Sequence, residues 1–260
     1  MTSPYAVRAA AALAALLVVA GCATSQGSPE ASDGDPQQTL TVFAAASLQK
    51  PFEDIGALFE DAHPGVTVRF AFGGSSGLVA QLSEGAPADV LATADEPTMA
   101  RAVSDGLVTG DPTPFASNTL QIVVPADNPA GIRTLADLTE PGATVVLCAP
   151  AVPCGAASAA VEKAAGLDLD PVSEEQSVTD VLGKVRSGEA DAGLVYVTDV
   201  IGAGAEVTGI DVPEAASAVN RYPIATLREA ADVTLADDFV GVVTSSAGLE
   251  ILARAGFRAP

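Results

Sequence analysis

The run Thr39-Leu40-Thr41-Val42-Phe43-Ala44-Ala45-Ala46-Ser47-Leu48 decides how the rest of the chain is read. Thr39 to Phe43 has the character of a buried strand, and Phe52, Ile55 and Phe59 follow at helical spacing. Ser47 therefore falls on a strand-to-helix turn. The first N–H groups of a helix lack internal partners and carry the positive end of its dipole, so a small hydroxyl side chain there is placed to receive an anion. Serine is also a common helix cap, and this stretch alone leaves both roles open.

The same arrangement recurs downstream. His63-Pro64-Gly65 makes a turn and Val66 to Phe72 reads as a second strand. Gly73-Gly74-Ser75-Ser76-Gly77 then leads into Leu78, Val79 and Leu82 of a helix. Gly85-Ala86-Pro87-Ala88-Asp89-Val90 opens a third strand, followed by a helix around Met99 and Val103. Strand and helix alternate to the end of the chain, which argues for parallel sheets covered by helices. Asn118 to Pro125 reads as one apolar strand long enough to leave one lobe and enter another, and Asn220 to Leu227 mirrors it. Between them, Ala143 to Leu147 and Ala192 to Val197 read as strands, Cys154 to Ala165 as a helix, and Val178, Val181, Leu182 and Val185 as the apolar face of another. The expected organisation is an α/β fold of two lobes, 39–121 with 223–260 and 122–222, joined by two crossing strands.

The N-terminal residues address the chain. Arg8 precedes an apolar run from Ala9 to Ala20, too short for the roughly 20 residues of a membrane span but suited to a secretory signal. Val19-Ala20-Gly21-Cys22 resembles a bacterial lipobox, in which Cys22 is lipidated and becomes the first mature residue. The boundaries read from this are a lipoprotein signal and lipobox over 1–22 and a flexible Ser/Gly/Pro-rich tether over 23–38. The folded part is expected outside the cytoplasm, held by lipid at the outer face of the cell membrane.

Processing at Cys22 would leave 11 basic against 33 acidic side chains, a net −22 against −21 for the whole chain. Such a chain is repelled by nucleic acid and anionic headgroups, which sets those partners aside. Besides Cys22, Cys148 and Cys154 form an even pair in an oxidising compartment, read as a disulfide or as two buried thiols. Two sulfurs with no neighbouring His or further Cys make a poor metal site, and no direct protein–metal ligand is expected. The lone histidine, His63, reads as a solvated turn residue.

Four motifs in register resemble the bacterial molybdate-binding proteins of ABC importers. They are Phe43-Ala44-Ala45-Ala46-Ser47-Leu48, Gly85-Ala86-Pro87-Ala88-Asp89-Val90, Val152-Pro153-Cys154-Gly155 and Gly193-Leu194-Val195-Tyr196. The resemblance runs from Thr39 to Phe257. It implies a two-lobed clamp of the type II periplasmic binding-protein class, no enzymatic activity and no cofactor. The implied ligand is molybdate or tungstate. By that similarity Ser47 and Ser75 donate from one lobe, and the Cys154 and Val178 backbone amides with the Tyr196 phenol donate from the other. The implied partners are a membrane permease and its separate ATPase, with the binding protein itself monomeric. The chain departs from the pattern where Cys154 stands in place of the more usual Ala and Gly73-Gly74 in place of more Ser-like residues. A backbone donor survives the first change; whether Ser75 or Ser76 faces the ligand stays open.

The physical logic agrees. Charges beyond a Debye length of about 8 Å are mostly screened, so an acidic protein must recognise a dianion through local donors. A site made only of donors accepts molybdate, tungstate or sulfate, whereas hydrogen phosphate brings an O–H with no acceptor. A binding protein for another oxyanion, sulfate or phosphate, is the nearest rival. A remoter one is an acyl-transferase, because Ser47-Leu48-Gln49-Lys50 matches S-x-x-K; neither S-D-N nor K-T-G accompanies it. Glu174-Glu175 and Asp237-Asp238 read as solvated acidic faces. No G-x-x-x-x-G-K-[ST] occurs, so the chain carries no P-loop ATPase.

Overall fold

The computed structural model describes residues 38–260. The signal, the Cys22 lipobox and the tether as far as residue 37 lie outside the described residues; Gln38, at the end of that tether, opens the first strand.

Strand β1 (Gln38–Ala45) is buried on both faces, as its continuous apolar run requires. Leu40, Val42 and Ala44 pack with the Phe52, Ile55 and Phe59 stripe of α1 (Gln49–Ala62), while Phe43 packs on the opposite face with Leu78 and Val79. β2 (Val66–Gly73), α2 (Ser75–Ser83), β3 (Val90–Ala92), α3 (Glu96–Ser104) and β4 (Thr113–Asn118) follow. The first sheet has the order β2-β1-β3-β10-β4, with β10 (Asn220–Thr226) returning from the far end of the chain. β1 is parallel to β2 and β3, and β10 is antiparallel to β3 and β4. α7 (Val233–Thr244) and α8 (Ser246–Arg254) complete the packing on the α1 side, where Phe239 meets Phe59 edge-on.

The second sheet repeats this plan. It is built from β5 (Leu120–Pro125), β6 (Val145–Cys148), β7 (Ser173–Glu175), β8 (Ala192–Tyr196) and β9 (Val207–Asp211) in the order β7-β6-β8-β5-β9. Again three strands, β7, β6 and β8, are parallel neighbours, and β5 is antiparallel to both β8 and β9. The helices α4 (Pro153–Ala165), α5 (Val178–Arg186) and α6 (Val197–Ala203) belong to this lobe. Even the fastening repeats. The buried Asp89 before β3 accepts the Thr41 N–H at 2.7 Å, and Asp191 before β8 accepts the Thr144 N–H at 2.8 Å. Asp89 also accepts the Ala231 N–H at 2.8 Å, tying the C-terminal segment to the first lobe.

The run from Asn118 to Pro125 is two strands rather than one. Asn118 closes β4 in the first sheet and Leu120 opens β5 in the second. The Asn118 side-chain oxygen accepts the Thr119 N–H at 3.0 Å, taking that donor away from either ladder. Leu120 and Gln121 pair within the second sheet, and Asn220 to Tyr222 within the first. The second passage between lobes runs through a 3-10 turn, Pro213–Ser217, so neither link is a strand shared by both sheets. Residues 120–121 thus lie with the second sheet and 220–222 with the first, not the other way about, and the expected crossing strands are replaced by a junction at Thr119 and a turn.

Candidate ligand-binding site

The three parallel strands of each sheet end at one small cavity between the lobes. Its wall is made by Ala45 to Ser47 after β1, Gly73 to Ser75 after β2 and Ala94 after β3. The opposite wall is Val152 to Cys154 after β6, Ser177 and Val178 after β7, and Tyr196 at the end of β8. This is the crevice outside the carboxyl ends of parallel strands where open α/β sheets bind ligands. All five residues expected to bind, Ser47, Ser75, Cys154, Val178 and Tyr196, line it, and all five are buried.

Ser47 lies in a 3-10 turn, Ala46–Leu48, between β1 and α1. It caps neither element, since no side-chain cap bond forms at that turn or at the start of α1. Its Oγ instead lies 3.0 Å from the Tyr222 Oη. Ser75 is the first residue of α2, behind Gly74, which offers no cap. Its Oγ accepts the Ala94 N–H at 3.0 Å, which leaves the hydroxyl proton to the cavity. Ser76 points elsewhere, donating to the Ala151 carbonyl of the other lobe at 2.7 Å. Ser75 is thus the serine of the cavity and Ser76 a tie across the cleft.

In the second lobe α4 begins with Pro153, which has no N–H, behind Val152, which makes no cap bond. The first helical bond comes from the Ala156 N–H to the Val152 carbonyl, so the Cys154 amide stands free at the helix start. Cys154 is bonded to Cys148, with Cα atoms 5.7 Å apart, and the short loop so closed holds the start of α4 against the end of β6. Gly155 completes that turn; a Cβ there would lie 1.9 Å from the Ala149 carbonyl oxygen. Val178 opens α5 behind Ser177, whose Oγ accepts the Asp180 N–H.

Tyr196 ends β8, and its Oη is the single buried side-chain N or O atom without a hydrogen-bond partner among the described residues. Burial, with Tyr222 and Asp199 nearby, holds the phenol well above its ordinary pKa, so it stays a donor. Asp199 fixes the backbone there by accepting the Tyr196 N–H at 2.9 Å. Burial pushes the Asp199 carboxyl up to about 7, against the weaker opposing effect of that bond. No residue lining the cavity is charged among the described residues. The site offers hydroxyl, phenol and helix-terminal amide donors, which suit a buried oxyanion.

Lys50 pairs with Asp54 and Ser47 bonds Tyr222, so the S-x-x-K serine lacks its lysine. Glu174 is exposed, but Glu175 is not part of a solvated face. It pairs with Lys184 and accepts from Ser173, and the Lys184 contact holds its carboxyl below the ordinary value. His63 is half-buried, stacked on Phe59 at 4.0 Å. Among the described residues no cluster of three His, Cys, Asp or Glu side chains is placed to hold a metal ion. Sequence reasoning missed Tyr222, Asn118 and Asp199. A tyrosine on an otherwise apolar strand was the signal for Tyr222; nothing local marks the other two.

Two α/β lobes meeting at a donor-lined cavity have the architecture of a type II solute-binding protein. A family model for bacterial extracellular solute-binding proteins matches residues 40–258, and the chain belongs to that family. Over 251 residues the chain is 50% identical to "Molybdate-binding protein ModA" of Mycobacterium tuberculosis, covering 95% of this chain and 96% of that one. It is 30% identical over 256 residues, 96% of each chain, to "Putative ABC transporter substrate-binding lipoprotein YvgL" of Bacillus subtilis. Among solved structures, the periplasmic molybdate-binding protein of Azotobacter vinelandii superposes with a TM-score of 0.75 at 24% identity, covering 85% of this chain and 99% of that one.

Proposed function

We propose that this protein captures molybdate, and tungstate with it, between its lobes and delivers the anion to the permease of an ABC importer. The observation that carries the reading is the Tyr196 phenol, buried in a cavity that no charged residue lines and without a hydrogen-bond partner among the described residues. Ser47, Ser75, the Cys154 and Val178 amides and Tyr196 are the proposed donors to the four oxygens. The relatives named for molybdate support the choice of anion. Contact with both lobes is available only in the closed state, so the ligand shifts an open–closed equilibrium. The moving bodies are the two sheets with their helices, hinged at Thr119 and over 213–219.

The protein acts as a monomer. Cys22 carries the lipid that holds the protein at the membrane surface. The lipoprotein name of the Bacillus relative supports that anchor. Growth with labelled fatty acid should label the wild-type protein and not Cys22→Ala; equal labelling would end the anchor assignment.

Calorimetric titration with molybdate, tungstate, sulfate and phosphate at one pH and salt tests the ligand. One-to-one binding of the first two, with sulfate much weaker and phosphate silent, is expected. Tight sulfate or phosphate binding, or no oxyanion binding, would overturn the choice of anion.

A further inference from the structure

We infer that Asn220 is a positioning residue for Ser75: from the strand that re-enters the first lobe it holds Ala94, and Ala94 in turn holds the Ser75 hydroxyl on the anion. The inference rests on the oxyanion reading of the cavity. Asn220 opens β10, just after the second passage between the lobes, and is buried. Its Nδ2 donates to the Ala94 carbonyl at 2.9 Å, and the Ala94 N–H donates to Ser75 Oγ at 3.0 Å. Ala94 itself lines the cavity.

Chemistry fixes the direction of both bonds. A backbone N–H can only donate and a backbone carbonyl can only accept, so Ser75 receives from Ala94 and Ala94 receives from Asn220. The Ser75 oxygen is thereby held on the cavity wall with its one proton left for a ligand. What remains is how Ala94 is kept in place. β3 ends at Ala92, so no strand ladder reaches Ala94. The Thr93 N–H donates to the Pro223 carbonyl at 3.0 Å, a bond between main chains. β10 thus grips this segment at Thr93 and at Ala94, and the second grip depends on the Asn220 side chain.

Asn118 supplies the contrast. It stands opposite Asn220 in the β4–β10 ladder and is buried too. Yet its Oδ1 accepts the Thr119 N–H, and its Nδ2 donates to Thr198 Oγ1 of the second lobe at 2.8 Å. Of the two asparagines beside the two passages, one ties lobe to lobe and the other serves the cavity wall. Asn220 touches no ligand oxygen in this assignment; it acts through Ser75.

The test is a double-mutant cycle read by calorimetric titration with molybdate, using wild type, Asn220→Ala, Ser75→Ala and the double variant. Asn220→Ala should lower molybdate affinity at least about fivefold, whereas in the Ser75→Ala background the same change should alter it by less than about twofold. The coupling is the readout because a lost buried bond lowers the melting temperature whether or not Ser75 is present. Asn118→Ala, taken through the same cycle, should cost the same affinity with and without Ser75. If Asn220→Ala does not fold, Asn220→Ser, whose hydroxyl falls short of the Ala94 carbonyl, takes its place. Wild-type affinity in a folded Asn220 variant, or an equal loss with and without Ser75, would overturn the inference while leaving the molybdate reading intact. So would a coupling of the same size for Asn118. A wild-type protein that does not bind molybdate would end both.

Discussion

Tyr196 holds its phenol in a place where folding alone gains nothing from it, since the buried oxygen has no hydrogen-bond partner among the described residues. A buried polar atom without a partner costs about 1 to 3 kcal/mol, and a ligand that accepts its proton recovers that cost on binding. Tyr196→Phe and Ser47→Ala are each expected to weaken molybdate binding by about 1 to 3 kcal/mol. Thermal melting of Tyr196→Phe should stay at or above the wild-type temperature; titration that finds wild-type affinity in both variants would remove them from the site. Asp199 makes a second prediction at this scale. Its folded carboxyl gives up its proton near pH 7, the unfolded one near the ordinary 3.8. Between those values the folded state holds the extra proton, so this group's stability contribution is full below about 4 and falls as pH rises to about 7. Asp199→Asn keeps an oxygen for the Tyr196 N–H and removes the titration. Its melting temperature relative to wild type should therefore rise between about pH 4 and about pH 8. A pH-independent difference would show that Asp199 is not the group responsible.

At the scale of elements, the site is a set of strand ends, and that is why much of it could be read. A buried strand, small residues and a helix start are each visible in sequence, and β1 to α1, β2 to α2 and β6 to α4 all follow that pattern. The strands that escaped reading are β4 and β7, both at sheet edges. An edge strand takes its hydrogen bonds from one neighbour and needs no long apolar run. Pro114 and Glu174 are tolerated there and mask the signal. Tyr222 and Asn118 were hidden for another reason: their meaning lies in contacts across 175 residues of chain for Ser47–Tyr222 and 80 for Asn118–Thr198. Gly74, the residue before α2, yields a prediction about closure. A Cβ at this position would meet the Gln176 carbonyl oxygen of the other lobe at 2.0 Å, a distance no side chain tolerates. Gly74→Ala should fold normally and fail to close, losing at least about tenfold in affinity, and small-angle scattering with saturating molybdate should still report the open form. Wild-type affinity with a normal compaction would contradict the closed geometry described here.

The whole molecule carries a charge of the wrong sign for its proposed cargo. At −21 the protein repels a dianion at long range, and the cavity is lined by no cation among the described residues. Selection must come from short-range donors supplied by both halves of a repeated sheet plan. Binding should therefore tighten modestly as salt rises from about 0.01 M to 0.15 M, because screening weakens the repulsion while the buried donors are unaffected. An affinity that falls steeply with salt would indicate capture by exposed cations instead. A wider groove between the lobes offers such cations in Lys50, Arg186 and Arg254, although each is paired to a carboxylate. The measurement that separates the two sites is a crystal structure of the protein with molybdate, with the metal located by its anomalous scattering. One molybdenum peak is expected inside the cavity bounded by Ser47, Ser75, Cys154, Val178 and Tyr196, with the Tyr196 phenol on one of its oxygens. A peak in the Lys50–Arg186 groove, or none between the lobes, would contradict it.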